Sequence, residues 1–374
     1  MGIKEIENTT HPVELESPSA PEQRQLTVAV IGLTELTETL LDIAWAEPGL
    51  RIVAAGDTDP VKAEAAARKY ECTTYTDYRQ LIVRNEADVL LVGAAPHQAF
   101  EYIRQALQKK MNILSGWPWA VNFEQGAEFV NLARREGVLF TVAQNGRFGR
   151  PFEYIKEFLH ASVEQSNTIH LISAVCHIPV GPLEPSQRWL YDPKLAGGGV
   201  LVQNCYNLID ELSLCFGLPQ RVYALTQSQA PDRQQRLSLT EDTAVMTMQY
   251  SDTLMAQVCA SRTLGPARQH LRIHGKDRHL TATPEEVVVC DNTGAELERA
   301  AYKDDRRPAL ERLLKNLAGH LLDPKEHPLY PDHGVDLNTL AVIEAAYLSA
   351  RTGMPEEPAR ILRLAGAAEL NIDY

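Results

Sequence analysis

Between Leu26 and Val142, short, mainly apolar runs alternate with helix-patterned segments, and this alternation restricts the fold more than any other feature of the chain. Leu26 to Ile31, Ile52 to Gly56, Val89 to Val92, Asn112 to Leu114 and Val138 to Val142 lack the period-two pattern of a strand with one wet face. They read as strands buried on both faces. The segments between them follow helical spacing, as in Leu36 to Ala46 and in the helix opened by Asp59-Pro60, where Ala63, Ala66 and Ala67 form an apolar stripe. Strand and helix in strict alternation predict a parallel, doubly wound sheet, whose ligands bind at the carboxyl ends of the strands.

The second half has another rhythm. After a helix over Phe152 to Leu159 come candidate strands at 168–172, 221–226, 244–250, 255–259 and 269–274, separated by turn residues such as Ser251-Asp252 and Gly275-Lys276-Asp277. Consecutive strands joined by short turns predict an open, mainly antiparallel sheet in an α+β domain. Helices at 201–214, 309–322 and 335–351 complete it. The chain divides into a polar tail at 1–24, a Rossmann-type domain at 25–148 and an α+β substrate and oligomerisation domain at 149–374, within the size expected of domains of roughly 150 residues.

A net charge of −13 and the lack of a basic stripe argue against nucleic acid as a partner. The six cysteines, Cys72, Cys176, Cys205, Cys215, Cys259 and Cys290, are scattered without a C-x-x-C pair, so a reduced, cytoplasmic chain with no metal site is expected. No apolar run approaches about 18 residues, so no membrane span is expected.

The loop after the first strand reads Gly32-Leu33-Thr34-Glu35-Leu36-Thr37. A dinucleotide fingerprint needs glycines for the turn, for pyrophosphate approach and for helix packing, and only Gly32 is present. Thr34 puts a branched side chain where phosphate comes close, and Glu35 adds negative charge at a helix N-terminus, so NAD or NADP binding is weakened. Asp57 ends the second strand 25 residues after Gly32 and serves either as a ribose-binding acid or as a turn residue. His97 follows Pro96 at the end of a strand and reads as a surface or capped histidine.

Two further segments carry the chemistry: Ser115-Gly116-Trp117-Pro118, and Gly197-Gly198-Gly199-Val200-Leu201-Val202-Gln203-Asn204-Cys205-Tyr206-Asn207-Leu208-Ile209-Asp210. Together they resemble the signatures of the Gfo/Idh/MocA oxidoreductases, Glu-Lys-Pro and Gly-Gly-Gly-x-Leu-x-Asp-x-Gly-x-His-x-x-Asp. Gln144-Asn145-Gly146-Arg147-Phe148 is similar to the family's Asn-Arg-Arg-Phe, and Trp189-Leu190-Tyr191-Asp192-Pro193 and Glu241-Asp242-Thr243-Ala244 also fit. The resemblance implies a Rossmann domain, NAD(P)-dependent chemistry on sugars, inositols and related polyols, and a homo-oligomer built through the open sheet of the second domain. It implies a cofactor contact at Pro118 and a relay at the Lys, Asp and His positions, which here hold Trp117, Gln203 and Asn207.

Indole and amide side chains do not titrate near neutrality and supply no general acid or base. On one continuous helix Gln203, Asn207 and Asp210 share a polar stripe, with Leu201, Cys205, Leu208 and Leu212 toward the core. Trp117, Trp119, Trp189, Tyr191 and Tyr206 either line a ligand cleft with Gln203 and Asn207 or fill the domain interface. Two readings follow. One is a ligand-binding, regulatory or partner protein on an oxidoreductase scaffold that has left hydride transfer behind. The other is an active NAD(P)-dependent oxidoreductase of a small polyol with a reorganised site, using Tyr206 or Tyr191 as acid.

Overall fold

The computed structural model describes residues 24–181, 185–229, 232–263, 265–303, 305–331, 334–364 and 366. The expected tail lies outside these residues, Arg24 excepted.

The first half runs β1 (Leu26–Ile31), α1 (Glu35–Ala46), β2 (Leu50–Gly56), α2 (Pro60–Lys69), β3 (Thr73–Tyr75), α3 (Tyr78–Arg84), β4 (Val89–Val92), α4 (Pro96–Gln108), β5 (Asn112–Ser115), α5 (Phe123–Glu136) and β6 (Phe140–Val142). The six strands form one sheet in the order β3-β2-β1-β4-β5-β6, and every neighbouring pair is parallel. All four residues of β4 are buried, as a strand covered by helices on both faces requires. The strand order reverses between β1 and β4, so the crevice at their carboxyl ends lies beside Gly32, Gly93 and Ala94. The edge strand β3 has too few apolar residues to be read from sequence; Thr73 and Thr74 are exposed.

The second half runs α6 (Arg150–Glu164), β7 (Ile169–His177), α7 (Pro193–Ala196), α8 (Val200–Gln203), α9 (Tyr206–Phe216), β8 (Arg221–Gln227), α10 (Arg233–Ser238), β9 (Thr243–Gln249), β10 (Met255–Ser261), β11 (Arg268–Gly275), β12 (Arg278–Ala282), β13 (Glu286–Asp291), β14 (Glu296–Ala301), α11 (Arg306–Leu322), α12 (Val335–Thr352) and α13 (Pro358–Leu364). Eight strands form a second sheet in the order β14-β13-β12-β11-β7-β10-β9-β8. It is antiparallel except where β7 and β10 run parallel. Ile172, Ala174 and Cys176 of β7 belong to the buried core. The alternate positions form an open face on which Leu171, Tyr223, Leu225, Val245 and Met255 are exposed.

The helix expected over 201–214 is two helices. The chain breaks at Asn204 and Cys205, where the Asn204 carbonyl accepts a hydrogen bond from the Cys176 thiol at 3.3 Å. The break redirects the side chains that follow, and the single polar stripe of Gln203, Asn207 and Asp210 does not form.

Candidate functional site

The loop between β1 and α1 closes on itself. Thr34 caps α1: its hydroxyl accepts from the Thr37 N–H at 3.4 Å, while the Thr37 hydroxyl accepts from the Thr34 N–H at 2.9 Å and donates to the Gly32 carbonyl at 2.8 Å. This reciprocal box satisfies helix N-terminal donors that would otherwise face an anion. A Cβ placed on Gly93 would lie 2.8 Å from Thr37 Cγ2 and 3.0 Å from Thr34 Oγ1, so both threonines fill the space at the switch point. Asp57 is also engaged with its own chain: Oδ2 accepts from the Leu33 N–H at 2.7 Å and Oδ1 from the Asp59 N–H at 2.8 Å. The loop departs from a dinucleotide pyrophosphate cradle at two points: threonine hydroxyls engage the Thr34 and Thr37 N–H groups, and Glu35 stands exposed beside them.

The triple glycine is needed for packing. A Cβ on Gly198 would sit 2.0 Å from the Tyr347 hydroxyl, and one on Gly199 would sit 1.8 Å from the Glu241 carbonyl oxygen. This approach lets the Glu241 carboxylate accept from the Gly199 N–H at 2.6 Å, the Leu201 N–H at 3.0 Å and the Tyr347 hydroxyl at 2.8 Å. Burial pushes the Glu241 carboxyl above its ordinary range, although these hydrogen bonds pull the other way. Glu241 thereby fixes the start of α8 and the position of Gln203.

Trp117, Pro118, Tyr191 and Gln203 line a cavity of about 410 Å³, together with Leu190, Thr240, Asp242 and Arg262. Gln203 is fully engaged there: its Nε2 donates to the Leu190 carbonyl at 3.0 Å and the Gly198 carbonyl at 2.6 Å, and its Oε1 accepts from Arg262 Nη1 at 3.0 Å. Arg262 in turn donates to Thr240 Oγ1 at 2.6 Å and lies 5.3 Å from the Tyr191 ring centroid. The Trp117-Pro118 peptide is cis. Aromatic faces beside a guanidinium, an amide and a carboxylate suit a neutral polyhydroxylated ligand.

Trp119 and Tyr206 do not reach this cavity. Both are enclosed in the core, where Trp119 Nε1 donates to the Tyr206 hydroxyl at 2.9 Å and that hydroxyl donates to the Asp336 carbonyl at 3.3 Å. Burial pushes the Tyr206 phenol well above its ordinary value, which removes it as an acid for substrate. Trp189 turns onto His97, with ring centroids 5.3 Å apart. His97 is half-buried, and burial lowers the pKa of its ring.

Asn207 faces a second cavity of about 630 Å³, bounded by Gly146, α6, α9, the end of β7 and the start of β11. The two cavities share no lining residue. Asp210 faces neither. It forms a buried ion pair with Arg147, which also binds Asp336, while Thr339 Oγ1 donates to Asp210 at 2.9 Å. Neither Arg147 nor Asp336 carries a sequence signal of this role, since each pairs across more than 60 residues of chain.

A doubly wound dinucleotide-type sheet joined to an open mixed sheet, with a Gly-rich turn at the crevice between them, defines the class of two-domain nicotinamide-dependent oxidoreductase scaffolds. Residues 26–144 match the profile of the oxidoreductase family with an NAD-binding Rossmann fold, and residues 142–281 match that of the GFO/IDH/MocA C-terminal domain. The chain belongs to the Gfo/Idh/MocA oxidoreductase family.

Among its relatives, dTDP-3,4-didehydro-2,6-dideoxy-alpha-D-glucose 3-reductase of Saccharopolyspora spinosa is 28% identical over 43% of this chain and 46% of that protein. A 2,7-anhydro-N-acetylneuraminate hydratase of Mediterraneibacter gnavus is 23% identical over 61% and 59%. The chain thus spans about half the length of the curated relatives it matches. Among solved structures, the WlbA dehydrogenase of Bordetella pertussis in complex with NADH and UDP-GlcNAcA shares the fold at TM-score 0.73 and 20% identity, over 89% of this chain and 99% of that one. Among the described residues no helix is long and apolar enough to cross a membrane, and no group of three His, Cys, Asp or Glu side chains is placed to hold a metal.

Proposed function

We propose that this chain is a ligand-binding member of its family that does not carry out hydride transfer, and that the Trp117 cavity takes a neutral sugar or polyol. The observation that carries the reading is the separation of the three motif positions. Trp117 and Gln203 line one cavity, Asn207 lines the other, and the Gln203 amide is already satisfied by Leu190, Gly198 and Arg262. General acid-base catalysis needs titrating groups within hydrogen-bond reach of one substrate. The carbohydrate chemistry named for the relatives supports the ligand class, and the self-capped loop supports weak cofactor binding.

The test is a thermal-shift screen of sugars and polyols without cofactor, since a ligand of the folded state raises the melting temperature. A hit that Trp117→Ala abolishes supports the reading. Hits that appear only when NAD(P) is added contradict it.

We also propose that two copies associate through the open face of the second sheet, where Leu225, Val245 and Cys259 lie side by side across β8, β9 and β10. Leu225 and Val245 are exposed and Cys259 is half-buried, and an apolar row of this kind suits a homo-oligomeric interface.

A further inference from the structure

The second cavity is built from departures that face one another. Gly146 stands where the family pattern has the first Arg of Asn-Arg-Arg-Phe, and Asn207 stands where it has His. Both line the same space, in which two large titrating side chains are replaced by small neutral ones. The room is taken up by Glu211, one turn after Asn207 on α9: a Cβ on Gly146 would lie 2.5 Å from Glu211 Oε1 and 3.9 Å from Asn207 Cβ. A side chain at 146 would therefore displace the carboxylate.

Glu211 has no hydrogen-bond or salt-bridge partner among the described residues, and Asn207 Oδ1 is buried without one. Glu211 is half-buried with its carboxyl open to the cavity, and on the same helix face the Asn207 amide oxygen is buried, where leaving an acceptor unpaired is costly. The other charges on the wall are not free to answer them. Asp305 is paired with Arg312 at 2.7 Å and accepts the Arg150 N–H at 2.8 Å, and Arg306 already has a partner. Glu285 adds a negative charge to the lining beside Asp305, so anionic ligands are disfavoured.

We propose that this cavity is a binding site for a small polyhydroxylated molecule bearing a primary ammonium, with the ammonium held between the Glu211 carboxylate and Asn207 Oδ1. The volume of about 630 Å³ accommodates a ligand of that size. This inference does not rest on the reading of the Trp117 cavity. In the free protein, burial and the neighbouring Asp210 push the Glu211 carboxyl up to about 8, so at neutral pH the ammonium displaces a proton from Glu211 to solvent. Of the remaining titrating groups facing the cavity, His270 has a buried Nδ1 without a partner and its ring is kept from protonating by burial and by Arg268 and Arg272, which lower its pKa. Cys176 has its thiol engaged by the Asn204 carbonyl and Gln269, Tyr302 keeps its phenol proton because burial raises its pKa, and Asp305 and Glu285 are the other carboxylates.

Isothermal titration of the full chain with D-glucosamine, D-glucose and glucose 6-phosphate at pH 7, repeated in buffers of different ionisation enthalpy, tests this. The expected result is saturable glucosamine binding at least about tenfold tighter than glucose, no phosphate-ester binding and release of close to one proton. Glu211→Gln, which preserves shape, abolishes the amine preference and the proton release. Gly146→Ala weakens glucosamine binding, and the glucosamine preference is read in the Trp117→Ala background so that sugar binding in the other cavity does not contribute. Equal binding of glucosamine and glucose, absence of glucosamine binding, or an amine preference that survives in Glu211→Gln overturns the proposal.

Discussion

Arg147 meets Asp210 through two parallel hydrogen bonds of 2.6 Å each, Nε to Oδ2 and Nη2 to Oδ1, with both side chains almost wholly removed from solvent. The same guanidinium binds Asp336, whose other oxygen accepts the Val142 N–H at 3.2 Å. One arginine thus ties the segment after β6 to α9 and α12. Bidentate geometry in a dry setting gives this contact strength and direction.

Removing one partner of a buried pair strands the other charge. Arg147→Ala leaves both Asp210 and Asp336 without their cation and is expected to lower unfolding stability by about 3–5 kcal/mol, read from urea melts followed by tryptophan fluorescence. A loss within about 0.5 kcal/mol, typical of a surface change, would show that the pair holds nothing together.

The Gly198 position allows almost no addition. Gly198→Ala is expected to cost about 1–3 kcal/mol through overpacking against the Tyr347 hydroxyl. It should also displace the Gly198 carbonyl from Gln203 Nε2. Tyr347→Phe in the Gly198→Ala background should recover only part of the loss in a double-mutant cycle, because it removes the hydroxyl at 2.0 Å but keeps the ring carbons at 2.5 and 2.7 Å.

Stability should also depend on pH through Glu211. Its carboxyl is near 4.5 in an unfolded chain and about 8 when folded, because burial favours the neutral form. The unfolded state therefore releases this proton first: the contribution is fully present below about 4.5 and is lost as pH rises to about 8. Glu211→Gln should flatten that decline in melts across this range. An unchanged slope would mean that the carboxyl stays ionised in the fold.

Much of this architecture was legible in the chain. The fully apolar run of β4 and the mainly apolar run of β1 announced strands buried on both faces, and the two motif frames announced the family. The break at Asn204 was not legible, because helical periodicity continues through it and the carbonyl freed there is met by the thiol of Cys176, a residue 28 positions away on β7. The site was legible as positions and not as an arrangement. Trp119 and Tyr206 look like cleft aromatics until their mutual hydrogen bond is seen in the core, and Glu211 has no motif to mark it. Strand β14, with Glu296, Glu298 and Arg299 exposed, lacks the apolar signal that would reveal it.

The open sheet face gives a direct expectation about assembly. Leu225→Lys with Val245→Glu should shift the oligomer to monomer in analytical ultracentrifugation while leaving the melting temperature of the monomeric fold measurable. An unchanged sedimentation pattern would place the interface elsewhere.

The central claim, that the scaffold has given up hydride transfer, is tested most directly by titrating the full chain with NADH and NADPH and following nicotinamide absorbance with a panel of sugars, inositols and polyols. The self-capped Thr34 and Thr37 loop and the divided motif positions predict no saturable cofactor binding up to about 1 mM, a level at which binding is worth only about 4 kcal/mol, and no turnover. Saturable binding of either cofactor together with steady turnover of any member of the panel would contradict the account.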